Sequence, residues 1–72
     1  MYKIGFIGAG NMGGALIVAA CHSIGPENVV ITDYFPEKAE ALAVELGCTA
    51  VKTNAEIASQ AEYIVLAVKP NV

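Results

Sequence analysis

The residues whose types and spacing could do chemistry begin at Gly8-Ala9-Gly10-Asn11-Met12-Gly13, a G-x-G-x-x-G run directly after an apolar stretch. Taken alone the pattern arises often by chance, and its position gives it weight. It closes a strand-like segment and opens a helix-like one within a unit of about 30 residues, where each glycine has a separate task. Gly8 makes the tight turn, Gly10 removes a side chain so that the backbone can approach a diphosphate, and Gly13 lets helix and strand pack closely. The start of the following helix offers unpaired N–H groups and a partial positive charge to an anion. The plainer alternative is a tight strand-to-helix turn that binds nothing.

A second candidate is Asp33, the only Asp in the chain, at the end of a second β-branched run. An acid about 20 residues beyond such a glycine loop accepts hydrogen bonds from the adenosine ribose of a dinucleotide. Its carboxylate repels a 2′-phosphate, and the four cations are all Lys, so no Arg offers a bidentate phosphate clamp. NAD is therefore favoured over NADP, with Lys38 left as a point charge within reach of a phosphate. Asp33 also suits a turn ahead of Pro36, and the two roles are compatible. Ala67-Val68-Lys69-Pro70 falls at the carboxyl end of a late strand, where the crevice for the middle of the cofactor is expected. Lys69 there is either a ribose or phosphate contact or a solvated strand-end residue. Asn54, at a loop-to-helix junction, is a groove residue or a cap. His22 has no acid, Cys or Ser at a partner's spacing, Tyr34 and Tyr63 read as packing residues, and no catalytic or metal-binding constellation is visible. Cys21 and Cys48 lack metal-like spacing and read as buried thiols of a reducing compartment.

These residues must be positioned by alternating elements. Tyr2 to Ile7 is a β-rich run expected to be covered on both faces. From Asn11 the spacing becomes helical, with Met12, Ala15, Leu16, Ala19 and Ser23 as the stripe and Gly25-Pro26 as the stop. Asn28 to Thr32 is a second strand. Pro36 starts a second helix with Ala39, Leu42, Ala43 and Leu46 along one side and Gly47 as a left-handed cap. Cys48 to Val51 is placed as a third strand, Thr53-Asn54-Ala55-Glu56 forms a capping box for a short helix to Gln60, and Glu62 to Val68 is the most strand-like stretch. The resulting βαβαβαβ order calls for right-handed crossovers and a parallel sheet with helices on both faces.

Length and charge narrow the classes. Seventy-two residues, 56% apolar and 15% charged, make at most one small domain rather than a two-domain enzyme. A net charge of −3 without a basic stripe argues against nucleic acid. The longest apolar run, Ala15 to Cys21, is far shorter than the roughly 20 residues of a membrane span, and the start has no signal-peptide layout. A soluble, cytoplasmic protein is expected. The fourth strand should leave an open edge, which invites self-association or cover from a longer parent.

Ile4-Gly5-Phe6-Ile7-Gly8-Ala9-Gly10-Asn11-Met12-Gly13-Gly14-Ala15-Leu16, together with Ile64-Val65-Leu66-Ala67-Val68-Lys69-Pro70, resembles the N-terminal part of pyrroline-5-carboxylate reductase, over essentially the whole chain. The resemblance implies an α/β, Rossmann-like parallel sheet, here the N-terminal half of a doubly wound fold and thus a partial NAD(P)-binding domain over 1–72. The C-terminal helical domain for dimerisation and substrate lies outside these residues. The family reduces 1-pyrroline-5-carboxylate to L-proline with NAD(P)H, the last step of proline synthesis; the 72 residues alone are expected to be inactive. By the same resemblance Ile7, Gly8, Ala9, Gly10, Asn11 and Met12 hold the pyrophosphate. Asp33 and Tyr34 face the adenosine ribose, and Asn54, Ala67, Val68, Lys69 and Pro70 line the rest of the groove. Thr32-Asp33-Tyr34 stands where many NADPH-using members have Ser-Asn-Arg, a departure that again favours NAD. Two rival readings remain at this point: another dehydrogenase of the 3-hydroxyacid or prephenate type, or a non-catalytic nucleotide-binding module.

Overall fold

In the computed structural model the described residues are 1–8 and 11–66, with residues 11–13 described by their backbone alone. Four strands form one parallel sheet: β1 (Tyr2–Ile7), β2 (Val29–Thr32), β3 (Thr49–Ala50) and β4 (Ala61–Leu66), in the order β3-β2-β1-β4. The helices between them are α1 (Asn11–Ile24), α2 (Pro36–Leu46) and α3 (Asn54–Gln60). The βαβαβαβ alternation read from the sequence is thus the observed one.

The central strands explain the apolar runs. β2 is buried along its whole length, and β1 buries Gly5 and Phe6. One face packs Phe6, Val29 and Ile31 against Ile17 and Cys21 of α1 and Ala39 and Ala43 of α2. The other packs Val30 against Ile57 of α3 and Ala61 of β4. Helix α3 comes close because residue 5 is glycine: a Cβ there would lie 2.8 Å from Ile57 Cγ2 and 2.9 Å from Ala61 Cβ.

The stripe expected on α1 is corrected. Ile17 and Cys21 are buried, whereas Ala15, Leu16, Ala19 and Ser23 are exposed. Ala15 to Cys21 is apolar all round, so its spacing does not select a face; the sheet takes the one that carries the β-branched Ile17. The second helix behaves as expected. Ala39 and Ala43 are buried, Leu42 and Leu46 pack beside them, and Gly47 closes the helix at φ +82°, its N–H donating to the Ala43 carbonyl at 2.7 Å.

Boundaries shift where local bonds compete with the ladder. Pro26–Asn28 forms a 3-10 turn ahead of β2, and Asn28 Nδ2 donates to the Ile24 carbonyl at 2.7 Å, which occupies Asn28 outside the strand. β3 is shorter than Cys48 to Val51, although the Val51 N–H still donates to Ile31 at 2.8 Å. β4 starts one residue early, because Ala61 both ends α3 and opens the strand. In the capping box, Thr53 Oγ1 accepts from the Glu56 N–H at 3.1 Å, and the Glu56 carboxylate accepts from Lys52 N–H, one residue before the cap.

Candidate functional site

The strand order fixes where a crevice can open. α1 and α2 cover one face and α3 covers the other, so the chain crosses on one face from β1 through β2 to β3 and on the other from β3 back to β4, beyond β1. In open α/β sheets ligands bind at the carboxyl ends of the strands where the winding reverses in this way. Here that point lies between Ile7 of β1 and its register partner Leu66 of β4.

Gly8 follows directly. It is buried at φ +104°, a conformation in which a side chain would be strained, and its N–H donates to the Thr32 carbonyl at 2.8 Å. This bond ties the start of the glycine loop to the end of β2, one residue before Asp33. Asn11, Met12 and Gly13 open α1, and the turn from β1 into a helix matches the context required of the motif. Ala9, Gly10, Ala67, Val68, Lys69 and Pro70, all expected at the site, lie outside the described residues.

Asp33 is half-buried at the carboxyl end of β2, and its Oδ2 accepts from the Phe35 N–H at 3.2 Å. That bond is the turn role the sequence allowed, and it orients the carboxylate. Tyr34 is 88% exposed, which corrects its reading as a packing residue; its ring meets the edge of Phe35 at 5.1 Å between centroids. Lys38 Nζ lies 5.2 Å from the centre of the Phe35 ring, a cation–π arrangement that holds the one nearby cation of α2 over an aromatic face. Asn54 is exposed as the first residue of α3, with Thr53 supplying the cap instead. Tyr63 is also exposed, and His22 is exposed in the last turn of α1. The carboxyl edge therefore gathers Gly8, Asp33, Tyr34 and Asn54.

Three features escaped the sequence reading. Gly5 interrupts a strand, a usual sign of close backbone approach that was there to be used. The Phe35–Lys38 pair at i, i+3 was a second available signal. The third, the packing of Cys48 against the cluster that buries Cys21, had no signal in the spacing. Burial first, then the charge of the Cys21 sulfur, pushes the Cys48 thiol up to about 11. Burial also raises Cys21.

A glycine turn of this form, at a winding reversal and beside an acid at the end of the second strand, defines a dinucleotide-binding α/β domain of the oxidoreductase type. The chain belongs to the family described as NADP oxidoreductase, coenzyme F420-dependent, whose profile matches residues 3–72. It is 39% identical over 70 residues to a pyrroline-5-carboxylate reductase of Methanosarcina acetivorans, across 94% of this chain and 26% of the relative. It is 38% identical over 72 residues to the Escherichia coli pyrroline-5-carboxylate reductase, across 97% of this chain and 27% of that one. The structure of a pyrroline-5-carboxylate reductase from Coxiella burnetii superposes with a TM-score of 0.83 at 30% identity, over 96% of this chain and 26% of that one. The resemblance expected from the two sequence segments is borne out, and so is the Rossmann-like sheet. The chain spans about a quarter of the length of these relatives. A nicotinamide dinucleotide is the cofactor class that goes with the family. Among the described residues no helix is long and apolar enough to cross a membrane.

Proposed function

We propose that the chain is the dinucleotide-binding portion of a pyrroline-5-carboxylate reductase, and that the whole protein reduces 1-pyrroline-5-carboxylate to L-proline by hydride transfer to its C=N bond. The observation that carries this reading is the Gly8 turn, bonded to Thr32 at the point where the winding reverses. A bound NAD(P)H supplies the hydride; the residues of this chain bind and orient it. In this reading Ile7 to Met12 and the Gly13 helix start hold the pyrophosphate, Asp33 and Tyr34 face the adenosine ribose, and Asn54 with Ala67 to Pro70 line the groove. The substrate residues belong to the C-terminal helical domain, so residues 1–72 alone turn over no substrate.

The cofactor is NADH in preference to NADPH. The support is Asp33, whose carboxylate repels a 2′-phosphate, together with the absence of Arg and the engagement of Lys38 with Phe35. Self-association runs through the open edge of β4, and the free thiols fit a cytoplasmic location. Calorimetric titration of the purified chain with NADH and with NADPH tests the central claim. The expected result is saturable binding that is tighter for NADH, with Asp33→Ser narrowing the difference about tenfold, or roughly 1.4 kcal/mol. Tighter NADPH binding would overturn the preference, and binding of neither would overturn the site.

A further inference from the structure

We propose that Phe35 is a positioning residue for the choice of cofactor: its ring holds the Lys38 ammonium against an aromatic face and so withholds it from a 2′-phosphate. This role rests on the dinucleotide site proposed above and sets a second device beside the Asp33 carboxylate. Lys38 is the one cation of α2, whose other charged residues are Glu37, Glu40 and Glu45. It stands in the first turn, where the helix dipole disfavours positive charge, so helix stability does not account for it. Its Nζ lies 5.2 Å from the centre of the Phe35 ring, within cation–π range.

The turn after β2 fixes the ring. The Phe35 N–H donates to Asp33 Oδ2 at 3.2 Å, and the Phe35 carbonyl accepts from the Lys38 N–H at 3.0 Å. The Tyr34 ring meets that of Phe35 at 5.1 Å between centroids, with the planes 74° apart. Carboxylate, ring and ammonium thus follow one another in a single chain of contacts at the carboxyl end of β2. Phe35 is 50% exposed, so its ring acts at the surface and does not fill the core. An ammonium serves a phosphate as a point charge, and Lys is the only cationic residue type available for that in this chain besides His22. To reach a 2′-phosphate, Lys38 must give up the ring. The contact therefore lowers NADPH affinity by its own strength, about threefold at an exposed site. NADH has no 2′-phosphate and gains nothing from the lysine.

The test is calorimetric titration of NADPH and of NADH into the chain and into its Phe35→Leu, Phe35→Tyr and Lys38→Gln variants, with the Phe35→Leu, Lys38→Gln double variant. Phe35→Leu is expected to tighten NADPH about threefold and to leave NADH unchanged. Phe35→Tyr keeps a ring and should keep the original ratio, which separates the aromatic face from mere bulk. The gain should vanish in the double variant and shrink as salt is raised. The contact is also read without cofactor: the Lys38 side-chain methylene protons should carry an upfield ring-current shift that Phe35→Leu abolishes and Phe35→Tyr preserves. With saturable binding established, an unchanged NADPH affinity in Phe35→Leu, or a gain that survives Lys38→Gln, would overturn the role of Phe35 and leave the cofactor site standing. A Lys38 shift that persists in Phe35→Leu would overturn it as well. Binding of neither cofactor by any of these chains would overturn the site itself, and this role with it.

Discussion

β2 and β4 are strands of one sheet with mostly apolar sequences, and their surroundings are opposite. Every residue of β2 is buried, whereas in β4 Tyr63 is 64%, Ile64 44% and Leu66 70% exposed. β2 has a strand on each side, α1 and α2 over one face and α3 over the other. Among the described residues β4 pairs with β1 alone, and α3 covers chiefly its first residue, Ala61. A continuous apolar run reports that a parallel strand is built for cover on both faces, but neighbours supply the cover. The same carboxyl end of β4 leads into Ala67 to Pro70, so the least covered strand of the sheet is also the one that borders the proposed cofactor crevice.

Paired truncations break or sharpen this contrast. Ile31→Ala removes a fully buried side chain between β2 and the α1/α2 face and is expected to cost about 2–5 kcal/mol, a large share of the stability of so small a domain. In the dilute monomer Leu66→Ala is expected to change stability by no more than about 0.5 kcal/mol. Urea unfolding followed by circular dichroism reads both. Comparable losses at low concentration would mean that something other than a second copy covers β4, whereas a loss for Leu66→Ala that grows with protein concentration is what the proposed self-association predicts.

Gly5 gives the next effect in size. An added methyl cannot fit between the buried Ile57 and Ala61, so Gly5→Ala is expected to cost about 1–3 kcal/mol by pushing α3 off the sheet. Ile57→Ala removes the Cγ2 that the new methyl would meet, so it should cost less in that background than it costs alone. Purely additive costs would show that the close approach of α3 to β1 is not what the glycine serves.

What was legible in the sequence follows from which physics is local. The helix ends could be read because Gly47, Pro36 and Thr53 act through bonds within a few residues of themselves. The order of elements followed from the alternation of apolar spacings, and the tight turn at Gly8 from its place after β1. The buried face of α1 was not legible, because an all-apolar stretch from Ala15 to Cys21 leaves the choice to the sheet. The packing of Cys48 against the cluster that buries Cys21 depends on how α1 and the β3 connection dock, and nothing in their spacing encodes it. At the candidate site, the place of Asp33 at the carboxyl end of β2 was legible, yet its bond to Phe35 N–H and the parking of Lys38 over Phe35 are products of the turn's geometry.

The smallest expected effects separate the two devices that hold α3 and β4 to β1. Thr53→Ala removes the oxygen that accepts from Glu56 N–H at the start of α3, and is expected to cost about 1 kcal/mol; Thr53→Ser should restore it. The Lys3–Glu62 pair links β1 to β4 at 3.8 Å with both side chains about half exposed, so Lys3→Ala should cost about 0.5 kcal/mol or less. Raising the salt concentration should erase the Lys3 effect and leave the Thr53 effect in place, because screening acts on exposed charges and hardly on a hydroxyl cap. If Lys3→Ala proved the costlier change and kept its cost in high salt, the β4 edge would be a water-excluded surface. The contrast with β2 would then have to be given up.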